Sequence, residues 1–452
     1  MENSCLTHSK VTDDTYLLNY FHQFVKKEPV SLLTGIESEL LGVDQETGEA
    51  ISYEGDRGVE KVFYELISRF SWEPILENGK PIALKRGRAE IHLEPGGQLE
   101  LSGTPARFLD EVKLELEEHY QELKESSLKY RIAWLELGMQ PFSPLNEIAW
   151  VPKGRYKIMR EYLIRKGPLS HRMMKQTATL QANFDFTGEE DAMEKLKVGM
   201  ALSPLTVALF ANSPFLEGKV PGPLSLRALG WQGTDPDRCG LIREVLEGPP
   251  KFESYLSYLL KVPMMFILRD EKWIPLENIT WGQFLKEGFQ GIFATEEDWE
   301  LFLTSVFPEA RLNPFVELRS ADRNSLAVSM GLLAFWKGIL LDSIARKSAW
   351  DLVSEGTIDD RKRWLHDAAL LGLKAYIGGV KMSNLASLLV QYAQQGLRRL
   401  RDQALSNEKE IQYLEVVKEI IQEGHSPAER LLIHWQGSWN QNPLKLIEYC
   451  RI

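Results

Sequence analysis

Residues 91–103 read IHLEPGGQLELSG, two short runs of alternating polarity on either side of a Pro-Gly-Gly break. In an extended chain Ile91 and Leu93 point one way while His92 and Glu94 point the other, and Leu99 and Leu101 likewise oppose Gln98 and Glu100. Glycines at such a break mark a tight turn or a close approach of the backbone, so Gly96 and Gly97 predict a turn between two strands. The same alternation recurs elsewhere. Glu37 and Glu39 share a face in GIESELLG, and Thr177, Thr179, Gln181, Asn183 and Asp185 share one in TATLQANFDF. Glu317 and Arg319 repeat it after Phe315. Such strands fit an antiparallel sheet with one apolar face covered by helices and one polar face left open, an α+β fold.

Water accounts for any single polar strand. Taken together these strands, carrying chiefly carboxylates and amides, ask for more. Adjoining glutamates at surface-like dielectric repel by about 1 to 4 kcal/mol per pair. A divalent cation removes that repulsion, and magnesium binds through a few carboxylates together with substrate phosphates, so an ATP-magnesium site is the economical expectation. Whether the strands adjoin is not decided by periodicity.

The rest of the chain supplies the covering helices. Val59, Val62, Phe63, Leu66 and Ile67 repeat at helical spacing, and residues 108–131 form a long amphipathic pattern. ENGKP from Glu77 is a turn signal before expected strands at 82–84, 90–93 and 98–101, with a first strand opening at Ser31 and others at 177–186 and 314–318. Residues 1–30 are expected to be a helical lead-in. From Thr357 the pattern is helical alone, which divides the chain into a catalytic body, 1–356, and a helical extension, 357–452, packed on it. In that extension Leu385, Leu388, Leu389 and Tyr392 mark a core-facing stripe, and Ser426, Pro427 and Glu429 a helix start.

The chain of 452 residues is 44% hydrophobic and 26% charged, the balance of a globular protein, and its net charge of -11 disfavours nucleic acid and anionic lipid as partners. Cys5, Cys239 and Cys450 lie far apart without metal-type spacing, which suits free thiols in a reducing compartment. The amino-terminal MENSCLTHSK lacks the marks of a secretory or transit leader, and apolar runs such as GLLAFWKGILL fall short of the roughly 20 residues that cross a bilayer. A cytoplasmic protein is the expectation.

GIESELLG, ENGKPIALK, LEPGGQLELSG, PKGRYKIMR, LQANFDF, FANSPF, FPEARLNPFVELRSAD and the late HSPAERLL with GSW together resemble the glutamate-cysteine ligases, in the branch shared by plants and many bacteria. The similarity runs in order from about Leu33 to Trp439. It implies a fold like that of glutamine synthetase and the guanidino kinases, with a curved antiparallel sheet whose concave face is the active site. It also implies the substrates ATP, L-glutamate and L-cysteine, and ligation through a γ-glutamyl phosphate as the first step of glutathione synthesis. Glu37, Glu39, Glu94, Glu100 and Glu317 then become candidate ligands of two or more magnesium ions, and Arg319, Glu94 and Glu317 candidate catalytic groups. Gln181 and Asn183 would orient nucleotide or metal-bound water, Arg319 would touch the ATP phosphates, and Lys85 would lie near the nucleotide. Arg155 and Arg227 match positions that hold glutamate, where a planar guanidinium fork suits a carboxylate. Trp231 and Met265 would line the substrate pocket. Arg160, Arg165 and Arg172 are expected in ordinary ion pairs, and His92 in a structural hydrogen bond.

The chain departs from the family in three places. Ser38 stands where relatives often have histidine, Met265 where they tend to have tyrosine, and the cysteines offer no obvious match to plant regulatory disulfides. The rival readings are a γ-glutamyl ligase using another amine and a non-catalytic ATP- or glutamate-binding regulator. Monomer and homodimer are both open.

Overall fold

Among the described residues, Val11 and 13–452 of a computed structural model, nine strands join in one sheet. They are β1 (Thr34–Asp44), β2 (Glu73–Glu77), β3 (Lys80–Arg86), β4 (Ala89–Leu93), β5 (Leu99–Ser102), β6 (Ile132–Leu135), β7 (Thr179–Phe184), β8 (Ala310–Leu312) and β9 (Val316–Asp322). Their order is β8-β9-β7-β1-β5-β4-β3-β2, with β6 on the later half of β1. Neighbours pair antiparallel throughout. β1, eleven residues long, is the hub, because it pairs with β7 over 34–38, with β5 over 37–40 and with β6 over 41–44.

The expected turns hold. Asn78 and Gly79 both have positive φ between β2 and β3, the conformation an Asn-Gly hairpin supplies. Between β4 and β5, Gly97 has φ +87°, and a Cβ on Gly96 would lie 2.2 Å from the Lys175 carbonyl oxygen. Both readings of the glycines are therefore right, one as turn and one as close approach.

The apolar side chains of the strands, among them Ile36, Leu40, Ile91, Leu93, Leu99, Leu101 and Leu180, are buried. The helix Leu109–Ser127 packs on β1 and β6, and its Leu109, Val112, Leu116, Tyr120 and Leu123 recur every three or four residues. Full burial of each such leucine is worth about 1.5–3 kcal/mol. The helix Leu326–Leu340, which contains the longest apolar run, packs against β7 and is buried along nearly its whole length. No single helix among the described residues is long and apolar enough to cross a membrane.

The C-terminal helices share this core. Met382–Asp402 lies on Leu326–Leu340 so closely that a Cβ on Gly396 would meet the Gly338 carbonyl at 2.0 Å. Leu385 and Leu389 are buried as the stripe predicts, while Leu388 is 38% exposed and belongs to the outer face. Ser426 caps the helix Pro427–Gln436 in a reciprocal box with Glu429. The last residues add to the sheet, with Glu136 N donating to the Cys450 carbonyl and Ile452 N to that of Trp134.

Three strands escape a reading of alternation. β2 is exposed along most of its length, β6 is buried on both faces, and β8 is three residues long, so none shows a period of two. The helix Asp14–His22 falls within the expected lead-in, whereas residues 1–10, with Cys5, lie outside the described residues. Cys239 and Cys450 are free thiols.

Candidate active site

Register decides what periodicity left open. On the polar face His92, Glu100 and Glu39 sit side by side across β4, β5 and β1. Next to them run Glu90, Ser102, Glu37 and Gln181, and beyond these Gly35, Asn183, Glu317 and Arg311. Glu94 joins from the turn, where its backbone pairs with Gln98. The glutamates are therefore neighbours on one floor.

Above that floor lies a cavity of about 300 Å³. Glu37, Glu39, Glu94, Glu100, Gln181, Arg319, Arg155, Arg227 and Trp231 all line it. Its walls come from the helices Gly154–Lys166, Ser170–Gln176 and Leu226–Gln232, which bring Tyr156, Met159, Met173 and Met174 as well. A second cavity of about 420 Å³ adjoins it, sharing Glu37, His92 and Ser102, and is lined also by Lys26, Arg88, Asn183, Asp185 and Phe315.

The electrostatics divide the floor. Burial, then the neighbouring Glu317, push the Glu37 carboxyl up to about 7. Burial, then Glu94, push that of Glu39 up to about 8, and burial with Glu37 raises Glu100 well above the usual range. Glu37 accepts from Asn183 Nδ2 at 3.0 Å and Glu39 from the Thr179 N–H at 2.9 Å, both neutral donors. Glu317 fares differently. Burial would raise its pKa, but Arg311 and Arg319 outweigh that and hold it below the usual value. Arg311 grips it with Nε at 3.0 Å and Nη2 at 2.8 Å, Arg319 donates to its other oxygen, and Arg319 also reaches Gln181 at 2.5 Å.

The wall carries the opposite need. Arg155 Nε, Arg227 Nε and Trp231 Nε1 are buried donors without a protein acceptor among the described residues. An unmet buried donor is destabilising by about 1–3 kcal/mol, so these groups favour an acceptor-rich ligand.

The donor set also fits magnesium. Among the described residues no three carboxylate, imidazole or thiol groups are gathered tightly enough to hold an ion alone. Magnesium uses one or two carboxylates with waters and phosphates, and the spread of Glu37, Glu39 and Glu100, whose pKa values burial and then mutual repulsion raise, suits that partnership.

Several expected residues take other places. Lys85 shares the polar face but stands exposed on β3, opposite Glu73 and Glu90, and does not line the cavity. Met265 is 1% exposed within the apolar core and does not line the cavity, nor does the next residue, Phe266, whose ring lies 5.7 Å from the Arg155 guanidinium. Asn183 lines only the adjoining cavity, and Glu317 lies behind the two arginines. Ser38 falls on the helix-covered face, opposite Leu101 and Leu180, so the residue there cannot join Glu37 and Glu39 on the floor. Arg165 and Arg172 pair with Glu277 and Glu217, and Arg160 lies over Trp150. His92 contacts Glu90 at 2.9 Å, yet lines both cavities.

Reasoning from residues missed Lys153, Tyr156, Met159 and Arg311. Met159 was available, being four residues from Arg155 on one helical face. Lys153 donates to the Leu93 carbonyl at 2.9 Å, and burial pulls its pKa down to about 8 against the pull of Glu94. Nothing in its local pattern marks it.

Residues 33–443 match the family model described as glutamate-cysteine ligase family 2. The chloroplastic glutamate-cysteine ligase of Brassica juncea is 37% identical over 411 residues, covering 90% of this chain and 78% of that protein. The chloroplastic enzyme of Arabidopsis thaliana is 36% identical over 90% of this chain and 77% of its own length. A crystal structure of the Francisella tularensis glutamate-cysteine ligase in complex with AMP superposes with a TM-score of 0.57 at 14% identity, covering 93% of this chain and 89% of the other. That likeness concerns the fold, which is α+β as the alternation implied. The expectation of a cytoplasmic protein is corrected by these relatives, which are named as chloroplastic. It rested on unpaired thiols, on an amino-terminal stretch without leader marks and on apolar runs too short to cross a bilayer, and none of these singles out the cytoplasm.

Proposed function

The chain belongs to glutamate-cysteine ligase family 2 and is a glutamate-cysteine ligase, and from that premise we propose that it joins the γ-carboxylate of L-glutamate to the amine of L-cysteine with ATP and magnesium. The observation that carries this reading is the meeting of Glu37, Glu39, Glu94 and Glu100 with Arg155, Arg227 and Arg319 around one cavity. Phosphoryl transfer depends on position and charge neutralisation more than on a protein nucleophile.

In this reading the glutamate γ-carboxylate attacks the terminal phosphorus of ATP, ADP leaves, and a γ-glutamyl phosphate forms. The cysteine amine then attacks the acyl carbon, and phosphate leaves to give γ-glutamylcysteine, the precursor of glutathione. Arg155, Arg227 and Trp231 offer their unmet donors to the glutamate substrate. Arg319, fixed by Glu317 and Gln181, faces the cavity to receive phosphate oxygens. Glu37, Glu39, Glu94 and Glu100 would hold magnesium, with Glu317 acting through Arg319 and Arg311. Bound there, magnesium supplies neutralisation of the phosphate charge.

The test is purified protein with ATP, magnesium and glutamate. Phosphate release stimulated by cysteine is the expected result. Stimulation by a different amine in an acceptor panel would replace the substrate, and absence of turnover with any amine would remove the catalytic reading.

A further inference from the structure

FANSPF and the closing Asp322 of FPEARLNPFVELRSAD, stretches singled out in the sequence, have no part in the cavity lining, yet the fold brings them together behind it. Asp322, the last residue of β9, is 1% exposed. Its Oδ2 accepts from the Asn212 backbone N–H at 2.8 Å and from Ser213 Oγ at 2.6 Å, and its Oδ1 accepts from Ser225 Oγ at 2.8 Å. Ser225 is the N-cap of the helix Leu226–Gln232, receiving the Ala228 N–H at 3.1 Å, and Ser213 Oγ receives the Arg227 N–H at 3.2 Å. That seven-residue helix carries both Arg227 and Trp231 to the cavity. The Arg227 guanidinium lies 3.9 Å from Asp322 Oδ1 and is otherwise held by the Arg319 and Ser320 carbonyls at 2.7 and 3.3 Å.

We propose that Asp322, through Ser213 and Ser225, is a positioning residue for the acyl-donor subsite. It fixes the start of the short helix and balances the buried Arg227 charge, so that Arg227 Nε and Trp231 Nε1 stay free for the substrate carboxylate. A helix of two turns has little stability of its own, so the direction of Arg227 depends on what ties its first turn. Buried carboxylates with hydrogen bonds on both oxygens hold such partners more firmly than neutral groups do. Arg319 shares β9 with Asp322, but its side chain is held by Glu317 and Gln181, and Glu37, Glu39 and Glu100 stand on β1 and β5, so nucleotide contacts should be spared. This inference rests on the ligase reading, through glutamate as the ligand of Arg227.

The test is steady-state kinetics of Asp322→Asn, which keeps the shape and removes the charge, beside the double variant Ser213→Ala/Ser225→Ala. The expected result for Asp322→Asn is a rise of about tenfold or more in the KM for glutamate, with kcat and the KM for ATP within about threefold of the parent, the signature of lost ground-state binding. The double variant should show a smaller rise in the same constant. A merely structural role would lower the melting temperature and leave both KM values of the folded fraction unmoved. A folded Asp322→Asn with an unchanged glutamate KM overturns the proposal; if that variant does not fold, an unchanged KM in the double variant does so. A parent protein without cysteine-stimulated phosphate release defeats the ligase reading instead, which separates the two failures.

Discussion

Five of the glutamates on one sheet face or its bordering turn meet two different fates. Glu37 and Glu39 rest against an amide and a backbone N–H and crowd Glu94 and Glu100, so burial and repulsion push protons onto Glu37, Glu39 and Glu100. Glu317, two strands from Glu37, is clasped by Arg311 and Arg319 and kept ionised. Residue type and strand period are the same in both regions. The difference is whether the protein already answers the charge, and that separates a group that holds the scaffold from one that awaits a ligand.

The comparison can be broken at its answered side first. Glu317→Gln leaves Arg311 and Arg319 buried without their shared anion, and loss of one partner of a buried pair is destabilising by about 3–5 kcal/mol. Denaturant titration should show that loss, and a midpoint equal to the parent's would mean that the arginines find other partners. On the unanswered side, Glu100→Gln should instead lower kcat by roughly a hundred- to a thousand-fold, the effect of deleting one preorganised electrostatic contact. Magnesium-dependent phosphate release reads this out. Activity within a few-fold of the parent would place Glu100 outside the machinery.

How far this division was legible in the sequence depends on the distance over which each residue is answered. The floor was legible, since alternation puts Glu37, Glu39, Glu94, Glu100 and Gln181 on polar faces and turn chemistry connects β4 to β5. The ties of Glu317 were not, because Arg311 pairs with it across a turn in β8, a strand too short to show a period. Met265 misled for the same reason. Family position suggested a pocket wall, but Met265 is packed in the apolar core, and its likewise buried neighbour Phe266 meets Arg155 without lining the cavity. Lys85 had the right face and the wrong end of the sheet, since alternation gives a face but not a distance from the centre.

His119 extends the comparison to a group whose charge would be opposed. It lies in the helix Leu109–Ser127 with neither ring nitrogen hydrogen-bonded among the described residues. Burial, then Arg86 and Arg323, pull its pKa down to about 3 from 6.5. The unfolded chain therefore binds more protons than the native one between those values, so stability rises with pH across the window and falls as pH drops below about 6.5. Between pH 6.5 and 5 the loss amounts to about 2 kcal/mol. His119→Leu should flatten that part of the stability profile, and a variant with the parent's acid limb would mean that the imidazole finds a partner.

The smallest effect has the most diagnostic sign. In the magnesium-free protein Glu100 destabilises the fold whether it stays charged among its neighbours or takes up a proton, so Glu100→Gln should raise stability by about 1 kcal/mol while it abolishes most activity. Glu317→Gln moves stability the other way, although it makes the same chemical change on the same sheet face. Thermal melts with and without magnesium sharpen this. The ion should stabilise the parent and do little for Glu100→Gln, so the gap between them narrows or reverses as magnesium is added. If both substitutions were destabilising in the absence of magnesium, the floor would be answered by the protein after all. Its carboxylates would then be scaffold, as Glu317 is.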